Sequence, residues 1–223
     1  MRNLLLIALL FAGGIFVSNA QTNTTPQTET TSNAIEMEWG VKGGLTISNL
    51  VDSDVYGGDS KVGWNAGIFY EIPITGSFSI QPEVIYSVEG SKNSYQTPYG
   101  GDANAFTTIE NDITFHYINV PIYAKYYIIE GFSVYLGPQI SFLVNNENDM
   151  TITYPLIPRP AVINMKEKLN STNNINFAGS VGLGYKFDFN VIVNATYNYG
   201  FTNVISKDDG KNSVFNFTLG YEF

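Results

Sequence analysis

The chain has 223 residues, with 11 basic and 20 acidic side chains, so its formal net charge is −9. A chain this acidic, without a basic cluster, binds phosphate backbones poorly, which excludes nucleic acid as a partner. The chain has no cysteine, which excludes disulfides, thiolate metal sites and a thiol nucleophile. Its 15 Tyr, 15 Phe and 21 Gly favour strands and tight turns over helices.

The first residues have the layout of a secretory signal peptide. Arg2 precedes an apolar run from Leu4 to Val17, and the small residues around Ala20 follow. The run is shorter than the roughly 20 residues that a membrane-spanning helix needs. We therefore predict a signal peptide over 1–20, with cleavage after Ala20. Residues 21–38 are rich in Thr, Asn and Gln and predict a flexible leader, which leaves 39–223 as the folded domain.

From Trp39 onward, apolar and polar residues alternate with a period of two, which is typical of strands with unlike faces. In the fifth such segment, Phe132, Val134 and Leu136 alternate with Ser133 and Tyr135. The pattern predicts eight strands, at 39–50, 62–72, 78–89, 113–126, 132–144, 175–187, 190–200 and 213–223. Three prolines, Pro82, Pro121 and Pro138, fall within these segments and predict local bulges.

The connections between these segments alternate in length. Short turns follow the second, fourth and sixth segments, whereas the joins at 51–61, 90–112, 145–174 and 201–212 are long. An up-and-down barrel with tight turns at one end and long loops at the other produces this alternation. The sequence therefore predicts an all-β fold, an eight-stranded antiparallel up-and-down transmembrane β-barrel.

A soluble barrel around a ligand is the alternative, and it would turn the apolar face inward. The polar face, however, is built mainly of Gly, Ser and Ala, whereas the apolar face is large and aromatic. A narrow lumen has room for small side chains, and a soluble exterior would carry many Lys and Glu. The composition therefore predicts that the apolar face contacts lipid. Aromatic residues near both ends of the strands are expected to form two interfacial belts; they are Trp39, Tyr70, Tyr126, Tyr127, Phe187, Tyr221 and Phe223 at one end, and Trp64, Tyr86, Phe142, Phe177 and Tyr199 at the other.

The few charges on the polar face are expected to point into the lumen. They are Lys42, Glu71, Lys125, Lys186 and Glu222 near the short turns, and Glu83 and Glu89 farther along their strands. Strand order places Lys42 beside Glu71 and Glu222, and Glu83 beside Lys125. We predict an internal ion-pair network; solvated charges on a soluble sheet are the alternative.

The stretch "SVFNFTLGYEF" (213–223) predicts a last strand that pairs with the first and closes the sheet. Its Tyr221 and Phe223 resemble the C-terminal aromatic signal by which outer-membrane proteins are recognised by the barrel-assembly machinery.

Four stretches together resemble a known family: "WGVKGGLTISNL", "SIQPEVIYSVEG", "HYINVPIYAKYY" and "VYLGPQISFLV". They are similar to the outer-membrane β-barrel family widespread in Bacteroidetes, often called PorT-like, of the small-barrel type of OmpA and OmpX. The resemblance covers 39–223 and implies a Gram-negative outer-membrane location and an eight-stranded barrel. Most members have no assigned activity, and the secretion and gliding role behind the family's name is not carried over.

Some small outer-membrane barrels are hydrolases, which require a His beside a Ser or Asp. Here the only histidine is His116, with Asp112, Ser87 and Ser91 as its candidate partners. A lone His in an aromatic strand is more typical of packing, so we predict no enzymatic activity and no catalytic residues. The acidic stretches 145–150 and 206–210 lack the ligand spacing of a calcium loop, so we predict no metal and no cofactor.

The sequence thus predicts a cell outer-membrane protein with both termini in the periplasm and its long loops outside. The expected partners are outer-membrane lipid, lipopolysaccharide and, during biogenesis, the barrel-assembly machinery. The predicted role is structural or anchoring, with a filled, non-conducting lumen. One alternative is an adhesion or ligand-binding module that acts through loops 90–112 and 145–174, the second of which contains the Pro-rich "YPLIPRP" (154–160). Another alternative is a narrow, porin-like channel.

Overall fold

In a computed structural model of the chain, residues 37–53, 58–100, 102–155, 159–169, 172–206 and 209–223 are described. The predicted signal peptide and all but the last two residues of the predicted leader lie outside this range. So do 156–158 of the Pro-rich segment and 207–208 of the second acidic stretch. These predictions are therefore not tested by the fold.

The described residues form nine antiparallel strands. They are β1 (Glu38–Val51), β2 (Asp59–Thr75), β3 (Phe78–Tyr99), β4 (Asp102–Ile129), β5 (Phe132–Tyr154), β6 (Ala161–Glu167), β7 (Ile175–Lys186), β8 (Val191–Gly200) and β9 (Lys211–Glu222). Eight of them close into a ring in the order β1–β2–β3–β4–β5–β7–β8–β9, and β9 pairs back to β1. The short strand β6 pairs with β5. The predicted eight-stranded up-and-down barrel is confirmed.

The last strand closes the sheet as predicted. Pairing runs from Gly40 opposite Glu222 to Val51 opposite Lys211 without a register shift. Beyond the ladder, the backbone N–H of Phe223 donates to the carbonyl of Trp39 at 2.8 Å. Because the ring of described strands is continuous, those strands leave no unpaired edge within the barrel wall.

The apolar side of each strand lies on the outside of the ring. On β9, Phe215, Phe217 and Leu219 are exposed by 49%, 52% and 61%, whereas Thr218 and Glu222 between and beyond them are buried. The other walls repeat this alternation, and exposed outward residues include Val41, Leu45, Ile68, Val84, Leu136, Val181 and Leu183. Within the described parts of the chain, no helix has the length and apolar character needed to cross a membrane.

The lumen contains large rings that the sequence analysis did not expect there. Phe69, Phe115, Tyr117, Tyr123 and Tyr135 are all buried, although we expected slim and ionic side chains to fill the interior. Glycines on neighbouring strands make the room for two of these rings. A Cβ added to Gly182 would overlap the ring of Tyr135, and one added to Gly40 would overlap the ring of Phe69.

Two predicted loops are largely strands. β3 pairs with β4 almost to the hairpin tip, at Pro98 opposite Phe106, and β4 pairs with β5 as far as Thr108 opposite Thr153. β6 adds to the far part of β5, from Asn148 to Tyr154. The described residues of segments 90–112 and 145–167 thus form one four-stranded sheet that continues beyond the ring. We call it the projecting sheet.

The bulges predicted at the three prolines are wrong. The register is the same on both sides of Pro82, Pro121 and Pro138. Proline has no backbone N–H, so the ladder loses one hydrogen bond at each of these positions. No extra residue is inserted into either strand, and the register is therefore kept. The register shifts occur at other positions, namely Ser60/Asn65, Pro73/Thr75, Pro98/Tyr99, His116/Tyr117 and Tyr127/Ile129.

The packing of Tyr135 over Gly182 leads to a stability prediction. Gly182→Ala should lower the free energy of unfolding by about 1–3 kcal/mol, because the ring is held by neighbours and cannot move away freely. Tyr135 hydrogen-bonds Thr196 at 2.7 Å, and its ring centroid lies 4.9 Å from that of Tyr123. Urea unfolding in detergent, followed by tryptophan fluorescence, measures the change. Gly76→Ala, in a turn with no atom within 4 Å of the new Cβ, is the matched control. Equal stability of the two variants would contradict this account.

Candidate functional site

Charged residues occupy the lumen at the end of the short turns. Lys186 forms an ion pair with Glu222 and a second one, at 3.2 Å, with Glu38. Lys186, Glu38 and Glu71 line an open vestibule of about 890 Å³, which reaches to the turns themselves. The outermost residues of the lumen are therefore acidic, with one lysine shared by two carboxylates.

A second ion pair lies at the inner wall of this vestibule. Lys125 Nζ is 2.6 Å from Glu71 Oε2, and both side chains are almost fully buried. The other carboxylate oxygen of Glu71 accepts from Ser79 Oγ at 2.6 Å and from the Tyr127 hydroxyl at 2.7 Å. Glu71 therefore has a partner for each oxygen, as a buried charge requires.

The third ion pair joins Lys42 and Glu83. Lys42 Nζ is 2.6 Å from Glu83 Oε1, which also accepts from Gln81 Nε2 at 2.6 Å. The ammonium lies 5.9 Å from the centre of the Tyr123 ring. Both charged side chains are buried, so the polar contacts and the aromatic face replace water around them.

The structure pairs these charges differently from the sequence-based assignment. Lys42 contacts Glu83 instead of Glu71 or Glu222, and Lys125 contacts Glu71 instead of Glu83. The reason is the strand stagger of a barrel, which brings inward side chains together diagonally.

Each lysine reaches across a small residue on the strand between the partners. Lys42 on β1 lies opposite Gly67 on β2, and Glu83 belongs to β3. Lys125 on β4 lies opposite Ser79 on β3, and Glu71 belongs to β2. Small residues on the polar face thus leave room for the long charged side chains to cross the intervening strand.

The opposite end of the lumen is closed by an apolar cluster. Val204 and Ile205, in the connection after β8, pack with Leu50, Ile113, Phe115 and Tyr117, and all six are buried. Backbone and side-chain bonds from Asn173 hold the connection, to Val204 O at 2.8 Å and to Asn203 O at 2.7 Å. We call residues 201–206 the apical plug. The sequence analysis missed it, although the two adjacent β-branched residues in this connection were a usable signal.

The structure does not bring together the residues of the candidate catalytic group. His116 Nδ1 is 2.7 Å from the Tyr86 hydroxyl on the outer face. Ser87 instead hydrogen-bonds Glu89 inside the lumen, at 2.5 Å. Asp112 pairs with Lys61, and with Lys92 at 3.3 Å. Partial burial acts to raise the pKa of Asp112, but the hydrogen bonds and charges of the two lysines outweigh it and hold the pKa below its ordinary value.

The aromatic residues expected at the two ends lie mostly on the outer face. Trp39 stacks on Phe223 with ring centroids 4.5 Å apart, and Trp64 contacts Tyr86 at 5.4 Å. Tyr221 and Phe223, the expected assembly signal, are both exposed on the outside. Tyr127 is an exception, because its hydroxyl points inward to Glu71.

Among the described residues, no group of three or more His, Asp or Glu is placed to hold a metal ion. The stretch 206–210 is only partly described, and the absence of a metal or a cofactor stays a prediction.

The closed antiparallel ring, apolar outside and charged inside, defines the class of transmembrane β-barrels. The chain belongs to the outer membrane protein beta-barrel domain family, whose family model matches residues 19–206. It is therefore an outer-membrane β-barrel protein.

Solved structures of similar fold include small outer-membrane barrels. Ail of Yersinia pestis, solved with the heparin analogue sucrose octasulfate, is 17% identical, with a TM-score of 0.46 over 84% of this chain and 99% of that one. Neisserial surface protein A is 16% identical, with a TM-score of 0.49 over 83% and 97%. The N-terminal barrel of Pseudomonas aeruginosa OprF is 11% identical, with a TM-score of 0.34 over 82% and 97%. A search of curated proteins found no significant match. These similarities are too weak to transfer a function.

The Lys125–Glu71 pair leads to a second stability prediction. Lys125→Met should destabilise the barrel by about 3–5 kcal/mol, because it leaves the Glu71 carboxylate buried without its cation. Urea unfolding in detergent measures the loss. The double variant Lys125→Met/Glu71→Gln should recover part of it, because no buried charge remains.

The exposed pair of Lys166 and Asp149, 3.1 Å apart on the projecting sheet, provides the matched control. Lys166→Met should change the free energy of unfolding by no more than about 0.5 kcal/mol. An equally small effect of Lys125→Met would show that the lumen pair does not stabilise the fold.

Proposed function

We propose that the protein is an outer-membrane anchor with a filled, non-conducting lumen, which carries the projecting sheet on the cell surface. The observation that carries this proposal is the side-chain filling of the lumen at successive levels. From the vestibule inward, these levels are the Lys186 and Lys125 ion pairs, the Lys42 pair with the inward rings, and the apical plug. An eight-stranded barrel is narrow enough for side chains to fill it.

The topology supports the orientation that we propose. An even number of strands puts both termini at the same end of the barrel, where the short turns also lie. Outer-membrane barrels have short periplasmic turns and longer extracellular connections. We therefore assign the termini and the vestibule to the periplasm, and the apical plug and the projecting sheet to the exterior.

Biogenesis and partners complete the proposal. The signal peptide over 1–20 directs export, and Tyr221 and Phe223 serve as the signal for the barrel-assembly machinery. The exposed apolar wall contacts outer-membrane lipid, and the outer rim contacts lipopolysaccharide. The proposal assigns no catalytic role to any residue.

Conductance measurements test the filled lumen. The wild-type protein in planar bilayers should give no discrete current steps, because buried side chains occupy the lumen at several levels. A porin reconstituted in the same bilayers is the positive control for insertion and detection. Regular conductance steps from the wild type would overturn the proposal in favour of a narrow channel.

A second candidate function is adhesion or ligand binding through the projecting sheet. The pairing of segments 90–112 and 145–167 into one sheet favours it, because paired strands form a more rigid surface than separate loops. One row of partners crosses all four strands on a single face: Tyr95 lies opposite Ile109, Ile109 opposite Ile152, and Ile152 opposite Ile163. Tyr95 and Ile163 at the ends of the row are 44% and 46% exposed. An exposed apolar row on a surface structure is a typical contact site.

An adhesion assay tests this candidate. Cells displaying the wild type should adhere to a protein-coated surface several-fold better than cells displaying Tyr95→Ser/Ile163→Ser, because the variant removes the two exposed ends of the row. Thr151→Ala/Asn164→Ala changes the opposite face and should keep wild-type adhesion. Heat-modifiable migration in gels verifies that each variant is folded. Equal adhesion of all three proteins would exclude the row as a binding surface.

A further inference from the structure

A small cavity lies in the lumen directly beneath the apical plug. Its volume is about 10 Å³. Val204 of the plug forms part of its wall. That is about the space that one water or one ion of similar size occupies. Its polar lining comes from five strands around the ring and from the plug: Glu89, Gln139, Ser141, Asn176, Asn198, Asn212 and, in the plug, Thr202.

Glu89 brings a carboxylate to this cavity without a basic partner. It is only 4% exposed, and it accepts from Ser87 Oγ at 2.5 Å and from the amides of Asn119 and Asn212, each at 3.1 Å. These three donors solvate the carboxylate in place of water. No ion pair to Glu89 is formed by the described lysines, although they pair with the other lumen carboxylates, those of Glu71, Glu83 and Glu222.

The cavity also contains an oxygen that lacks a partner. Asn198 is 5% exposed, and its Oδ1 has no hydrogen-bond donor. Asn119 Oδ1, beside Glu89, likewise has no hydrogen-bond donor. A buried charge and unsatisfied acceptors are both costly. Together they call for a positively charged ligand.

We propose that this cavity binds one dehydrated monovalent cation, held by Glu89 and Asn198. One carboxylate balances one positive charge, and the space excludes a hydrated ion. Mg²⁺ retains several waters, for which the cavity has no room, and any divalent cation would leave an uncompensated positive charge beside the single carboxylate. The ion would neutralise Glu89 and link opposite walls of the barrel under the plug.

Urea unfolding of the full-length protein in neutral detergent tests the site. The protein is refolded and unfolded in NaCl, KCl or choline chloride at equal ionic strength, so that general screening is constant. The wild-type midpoint should be higher in NaCl than in choline chloride and should rise with sodium concentration to saturation, because the ion binds the folded state alone. KCl should also give a higher midpoint than choline chloride, because choline is too large to enter the cavity.

Glu89→Gln removes the charge and should abolish the difference between NaCl and choline chloride. Glu147→Gln, an exposed acid outside the cavity, should keep it. If Glu89→Gln does not fold, Asn198→Ala tests the same site and should reduce the difference between NaCl and choline chloride.

Equal wild-type midpoints in the three salts would overturn the proposal and would indicate a water beside a protonated Glu89. An unchanged sodium increase in Glu89→Gln, or in Asn198→Ala where that variant is used, would place the ion elsewhere and would also overturn it.

Discussion

The structure depends on the pairing of every backbone N–H and C=O within the membrane. Hydrocarbon offers these groups no hydrogen bonds, and each unpaired group costs several kcal/mol, so a sheet can cross only as a closed ring. The continuous ladder between β1 and β9 provides that closure. Once the ring is closed, one face of each strand contacts lipid and the other contacts a narrow lumen. The outward position of Phe217 and Leu219 and the inward position of Glu222 both follow from this constraint.

The narrow lumen explains how its contents are arranged. Charges buried there need partners, and the stagger of the strands places those partners across an intervening strand. Small residues such as Gly67 and Ser79 let the lysine stems pass, while Gly40 and Gly182 make room for rings. Ion pairs and hydrogen bonds fill the half of the lumen near the vestibule, and the apolar cluster closes the opposite end of the lumen. The small residues and the few large ones pack against each other and fill the lumen, instead of lining a water-filled channel.

The barrel wall and the projecting sheet are built from the same strands, but these strands lie in different environments in the two parts. β3, β4 and β5 run through the ring and continue beyond it, where β6 joins them. The rigid wall therefore sets the position of the sheet, and the row from Tyr95 to Ile163 is presented on a scaffold anchored by the membrane. Within this architecture the barrel supports the sheet, and the proposed contact row belongs to the part outside the ring.

The sequence alone determined the eight strands, their antiparallel order, the closure by the last strand and the outward apolar face. These features follow from local patterns: the period of two, the alternating connection lengths, and the contrast between small and large faces. The tertiary structure decided which lysine pairs with which glutamate, the insertion of Val204 and Ile205 into the lumen, the inward rings, and the joining of segments 90–112 and 145–167 into one sheet. Each of these depends on strand stagger and on contacts between residues far apart in the chain, and a local pattern does not encode either.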